Sequence, residues 1–142
     1  MKQFKLIGIG ILLIAFNSFA QEEKESINIT LKIEGIKAQQ GQLMIRVFNT
    51  NVNYPDQAFR DVIVDLKNEQ SDIYKVENLP AGDYAIIIYQ DLNSNNNIDI
   101  GMMGPEEPLG YSNNASNPYG PAPYESAKMS FQKDRMLTVT LK

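Results

Sequence analysis

Residues 79–89, Leu79-Pro80-Ala81-Gly82-Asp83-Tyr84-Ala85-Ile86-Ile87-Ile88-Tyr89, hold a turn followed by the strongest strand signal in the chain. Pro presets one backbone torsion and Gly admits torsions that other residues avoid, so residues 79–83 punctuate the chain. From Tyr84 to Tyr89 the residues are apolar or aromatic, and Ile86, Ile87 and Ile88 are consecutive. Successive strand residues point to opposite faces, so both faces of this strand are apolar. It is expected at the centre of a sheet, buried on both sides.

The flanking sequence alternates in the same period of two. Ile27, Ile29, Leu31 and Ile33 interleave with Asn28, Thr30 and Lys32, and Gly41 to Asn49 repeats the pattern with Leu43, Ile45 and Val47 on one face. Asn49 to Arg60 is polar and contains Tyr54-Pro55, so it is expected as a loop. Val62 to Leu66 and Asp72 to Val76 are short strand candidates. Downstream, Ala127, Met129 and Phe131 alternate, and Leu137, Val139 and Leu141 make a last strand. About seven short strands and no amphipathic helix predict an all-β fold. The expected form is an antiparallel β-sandwich over residues 27–142 with one long ordered loop. That loop is Asp91 to Glu125, which shows little periodicity. A segment of such length inside a compact domain is expected to be functional, or held by something other than a core.

The first twenty residues are set apart by composition. Lys2 and Lys5 precede an uncharged run from Leu6 to Phe16, and Ser18-Phe19-Ala20 ends in a small residue. This is the layout of a signal peptide over residues 1–20, with cleavage expected after Ala20. The apolar run is well short of the roughly 20 residues that span a bilayer, so no membrane insertion is expected after cleavage. The protein is expected to be exported, to the periplasm or beyond the cell, with residues 21–26 as a mobile lead-in.

Without Lys2 and Lys5 the 13 Lys and Arg become 11 against 17 Asp and Glu, a net charge of −6. That balance disfavours nucleic acid and anionic membrane as partners and suits cations. The chain has no Cys, His or Trp. A Ser-His-Asp triad, a Cys-His pair and the usual zinc sites are therefore excluded. A metal bound here must be a hard cation held by oxygens.

Such oxygens occur in Asp91-Leu92-Asn93-Ser94-Asn95-Asn96-Asn97-Ile98-Asp99. With Asp91 as position one, side-chain oxygens fall at one, three, five and nine: Asp91, Asn93, Asn95 and Asp99. Asn97, at seven, offers its backbone carbonyl, and Ile98, at eight, is the apolar residue that turns inward in EF-hand loops. Alternate residues of a tightly wound loop point to one centre, and calcium takes six to eight oxygens. Position six calls for a sharp turn, and Asn96 is the kind of non-glycine residue that tolerates positive φ. Position twelve, a bidentate Glu in EF-hands, is Met102, so the missing carboxylate must come from Glu106 or Glu107. Asn and Asp are also ordinary turn residues, which leaves Asp91, Ile98 and Asp99 as the informative positions.

Leu79-Pro80-Ala81-Gly82-Asp83-Tyr84-Ala85, the 91–99 loop, and Pro105-Glu106-Glu107-Pro108-Leu109-Gly110-Tyr111-Ser112-Asn113-Asn114-Ala115 together form an ordered set of motifs. In this the chain resembles a bacterial group of exported proteins, domain-of-unknown-function family 2141, from about Ile27 to Leu141. The resemblance implies a secreted β-sandwich similar to transthyretin-like and carboxypeptidase-regulatory modules, with a calcium loop. It implies Asp91, Asn93, Asn95, Asn97 and Asp99 as ligands, and it singles out Glu107 as the later acid. Two departures are Asn96 where the family has Gly, and a spacer one residue shorter before Pro105.

The alternative to a calcium protein is a cell-surface module that binds glycan or peptide through the Tyr/Pro-rich loop 104–125. Tyr111, Asn113 and Tyr119 would form its platform, since Tyr offers stacking area and a hydroxyl. Packing of these rings onto the sandwich is the plainer expectation. Ser112-Asn113-Asn114 lacks a base to activate a serine and is expected to tie the loop through side-chain to backbone bonds. Carboxylate pairs could in principle serve glycoside chemistry. Acids beside an ion-like loop suit ligation better, and the protein is expected not to be an enzyme.

Overall fold

A computed structural model describes residues 25–37 and 39–142. The expected signal peptide and residues 21–24 of the lead-in lie outside the described residues. Among the described residues ten strands are formed: β1 (Ser26–Glu34), β2 (Gln42–Phe48), β3 (Arg60–Asp65), β4 (Ile73–Pro80), β5 (Gly82–Asp91), β6 (Ile100–Gly101), β7 (Gly104–Pro105), β8 (Leu109–Tyr111), β9 (Met129–Phe131) and β10 (Arg135–Thr140). Each of the seven stretches with period-two or continuous apolar patterning holds a strand, although Ala127 falls in a helical turn before β9, and β1 begins at Ser26, inside the expected lead-in. The helical content among the described residues is slight, a single turn α1 (Tyr124–Ala127) and a 3-10 turn at Ser112–Asn114.

The strands form a three-stranded sheet, β10-β1-β4, and a larger sheet, β3-β2-β5-β8, with β9 also on β5. The fold is an all-β sandwich. Its main core lies between the two sheets, where Ile29, Leu31 and Ile33 of β1 meet Leu43, Ile45, Ile86 and Ile88 of β2 and β5, all buried. Each such side chain contributes about 1.5–3 kcal/mol on burial. One pairing departs from the antiparallel expectation: β10 runs parallel to β1, with Leu31 opposite Leu137. The chain leaves β9, in the larger sheet, and crosses to the other sheet to form β10. It arrives there running in the direction of β1, a crossover that no local sequence pattern encodes.

β5 is buried on both faces, as its isoleucine run requires. Ile86 and Ile88 face the sandwich core, while Ala85, Ile87 and Tyr89 belong to a second cluster with Met44, Phe48, Tyr124 and Ala127. That cluster covers the outer face of the larger sheet. Its cover comes largely from the segment expected to lack a core of its own, since Ile98, Leu109, Tyr111 and Ala115 also pack there. The 91–125 segment is therefore not a structureless loop. Its second half is a strand and two turns anchored by apolar burial, and its first half is held differently.

The outer edge of β5 is shared by two short strands. β9 pairs with Gly82–Tyr84 and β8 with Ile87–Tyr89. Ser112 fills the interval: its buried Oγ accepts the Ile86 N–H at 2.9 Å and donates to the Ala127 carbonyl at 2.6 Å. Ser112→Ala leaves both backbone groups unpaired in a buried site, which costs about 1–3 kcal/mol. A urea unfolding curve is expected to show a lower midpoint at unchanged slope; a midpoint equal to wild type would mean the hydroxyl contributes nothing.

Candidate metal centre

β5 ends at Asp91, which is fully buried although it carries a charge. The strand register sets Asp91 opposite Gln42 of β2. Gln42 Nε2 donates to Asp91 Oδ2 at 2.8 Å and to Asn96 Oδ1 at 2.6 Å. After Asp91 the chain winds back on itself through Ser94 and Asn96, both at positive φ, 58° and 64°. The Asn96 turn brings its own N–H to Asp91 Oδ2 at 2.7 Å, and Asn95 N–H reaches Asp91 Oδ1 at 3.1 Å. Asp91 is thus the acceptor at the centre of the loop.

The remaining polar side chains close around it. Asn93 Oδ1 accepts the Asn95 N–H at 3.1 Å, and Asn95 Oδ1 accepts the Asn97 N–H at 2.7 Å. Asn93 and Asn95 turn their amide nitrogens to Asp99, at 2.7 and 3.0 Å. Asn97 Nδ2 donates to the Asn95 carbonyl. Glu107, 4% exposed, accepts the Leu92 N–H at 2.7 Å and the Asp99 N–H at 3.1 Å, so one carboxylate ties the start of the loop to its end. Glu106 does not share this place: its N–H bonds the Asp99 carbonyl, and its side chain lies against Gly101. Ile98 packs on the second apolar cluster. Below the loop, Tyr89 donates its hydroxyl to the Asn96 carbonyl at 3.2 Å. Burial pushes the Tyr89 phenol up, Arg46 opposes this, and Asp91 adds to it, so the hydroxyl stays protonated as the donor.

The structure therefore gathers Asp91, Asn93, Asn95, Asn97, Asp99 and Glu107 into one hydrogen-bonded knot. Among the described residues no three carboxylates converge closely enough to hold an ion as they stand. Nor does any Lys or Arg among the described residues pair with Asp91, Asp99 or Glu107, since the ion pairs are Lys32–Glu34, Arg46–Asp61 and Lys128–Glu125. The donor set is of the type a hard cation takes: three carboxylates with amide and carbonyl oxygens. A half-turn of the Asn93 or Asn95 amide exchanges its nitrogen for oxygen at the Asp99 side. Gln42 belongs to the site but was not legible in sequence, because only the β2–β5 register places it beside Asp91. Asn96 acts as the turn and as an acceptor for Gln42.

Tyr111 is half-buried in the second cluster, and Asn113 donates to the Ser126 carbonyl at 2.9 Å. Tyr119 is 96% exposed. None of the three lines the cleft beside Phe48 and Phe59 or the one beside Ile33 and Tyr74. No described helix is long and apolar enough to cross a membrane.

No curated protein and no solved structure matches the chain. Residues 31–138, which include the β4–β5 turn, the Asp91 loop and Glu107, match a family described as "Uncharacterized protein conserved in bacteria (DUF2141)", and the chain belongs to that family.

Proposed function

We propose that this is a non-enzymatic exported β-sandwich protein whose segment 91–107 takes up one calcium ion and is ordered by it. The observation that carries this is a charge imbalance. Asp91 and Glu107 are buried, Asp99 lies beside them in the same knot, and no cationic side chain among the described residues pairs with any of the three. Buried charges are ordinarily paired or bound to metal. Asp91, Asp99 and Glu107 would hold the ion with oxygens of Asn93, Asn95 and Asn97, and the ion would supply the positive charge the site lacks. Loop order would then depend on calcium concentration.

Thermal unfolding in calcium and in chelator tests this. With affinity in the roughly 10⁻⁴–10⁻³ M range of extracellular modules, about 10 mM calcium adds about 1–3 kcal/mol, a rise in midpoint of roughly 5–10 °C. Asp99→Asn, at a half-buried position, is expected to keep the fold and lose most of that rise. An unchanged wild-type midpoint at millimolar calcium would sink the proposal.

A further inference from the structure

The connection between β2 and β3 is longer than a hairpin needs and is held as a rigid bowl. Phe59 N–H bonds the Val47 carbonyl at 2.8 Å, and Gln57 N–H bonds the Asn53 carbonyl at 2.7 Å. Arg46 donates to the carbonyls of Pro55 and Asp56 at 3.3 and 3.0 Å from beneath. Tyr54 packs edge-on to both Phe48 and Tyr124 and donates its hydroxyl to the Ala122 carbonyl at 2.6 Å. These bonds fix the backbone, yet the side-chain amides that rim the bowl are unused. Among the described residues, Asn49, Asn53 and Gln57 make no side-chain hydrogen bond.

The bowl encloses about 180 Å³ and is lined by Phe48, Asn49, Thr50, Asn53, Gln57 and Phe59, with no charged side chain among its walls. Phe59 is 45% exposed, and its ring is braced by Tyr84 stacked at 6.2 Å. We infer that this bowl is a binding site for a neutral sugar, with one ring seated against Phe59 and its hydroxyls on the amides of Asn49, Asn53 and Gln57. The chemistry is complementary on each count. A sugar hydroxyl donates and accepts at once, and so does a carboxamide, which carries two donors and an acceptor. The C–H face of a pyranose is apolar and suits an aromatic ring. Absence of charge in the walls favours a neutral ligand over an anion or an amine. A site of this size contacts one ring only, so weak, millimolar binding is expected.

Nuclear magnetic resonance tests this independently of calcium. The ¹⁵N-labelled protein is titrated with glucose, galactose, mannose, xylose and N-acetylglucosamine, and with glucuronate and glucosamine as charged controls. The expected result is a saturable shift of the Asn49, Asn53 and Gln57 side-chain amide signals with at least one neutral sugar, and none with the charged controls. Asn53→Ala and Phe59→Ala are each expected to weaken that binding by about tenfold, since each removes one hydrogen bond or the stacking surface. Asn53 is exposed, so its variant keeps the wild-type spectrum elsewhere, which guards against an unfolded control. No saturable shift with any neutral sugar, or shifts centred on Tyr119 instead, would overturn the inference.

Discussion

Asp91→Ala is expected to lower stability by about 2–4 kcal/mol and the thermal midpoint by roughly 10 °C, even in chelator. The carboxylate accepts Gln42 Nε2 and the N–H groups of Asn95 and Asn96, and it is fully buried at the end of the central strand. Removing it leaves the Asn96 N–H without its acceptor and takes from the Asn95 N–H and Gln42 Nε2 one of the two acceptors each uses. An opposing effect exists, because deleting a negative charge relieves repulsion from Asp99 and Glu107. Asp91→Asn separates the two. It keeps the volume and removes the charge, but it offers one oxygen where two were used and turns an amide nitrogen toward a donor. If hydrogen bonding dominates, Asn is destabilising as well; a more stable Asn variant would show that repulsion governs the site. In either variant the proposed calcium response should vanish, which differential scanning calorimetry at millimolar calcium reads directly.

Gly41→Ala should be at least as damaging, at about 3 kcal/mol or more. Gly41 sits just before β2 at φ 69°, where a side chain costs roughly 1–2 kcal/mol in strain alone. A Cβ there would also stand 2.1 Å from the Asp91 carbonyl oxygen and 2.8 Å from the Leu92 Cα. Both are backbone atoms and cannot rotate away. β2 and β5 must separate at the point where Gln42 reaches Asp91, so the fold and the loop fail together. Two measurements check this: the urea midpoint, expected to fall sharply, and the protection of the Asn95 and Asn96 amides from hydrogen exchange, expected to drop further than that of β1. Wild-type protection at those amides would show that the close approach of Gly41 is not needed to hold the loop.

The strands were legible in the sequence because their evidence is local. Ile27 to Ile33 and Leu43 to Val47 alternate because each strand has one face in the core, and Ile86-Ile87-Ile88 is continuous because β5 has both. The turn at Asn96 was legible for a similar reason, since the chain reverses there through a torsion that few residues accept. β8 was not. It is three residues long with Gly110 at its centre, and no periodicity can be read from Leu-Gly-Tyr. Gly110 is required by β10, whose Thr140 carbonyl would lie 2.7 Å from a Cβ at that position.

The same division runs through the site. The order of acids and amides along residues 91–99 is a property of the sequence, and it already marked out an oxygen-rich loop that winds about Asp91. The family resemblance already singled out Glu107 as the later acid; how it closes the loop, and what lies beneath it, came from tertiary structure. Glu107 closes it because its two oxygens reach the N–H groups at both ends of the loop, while Glu106 points to Gly101. Gln42 joins it because β2 and β5 pair in one register. Local patterning thus determined the strands, the two-sided burial of β5 and the oxygen-rich loop. The parallel return of β10, the strand hidden at Leu109–Tyr111 and the partners of Asp91 depend on contacts between residues far apart in the chain, and only packing decides those.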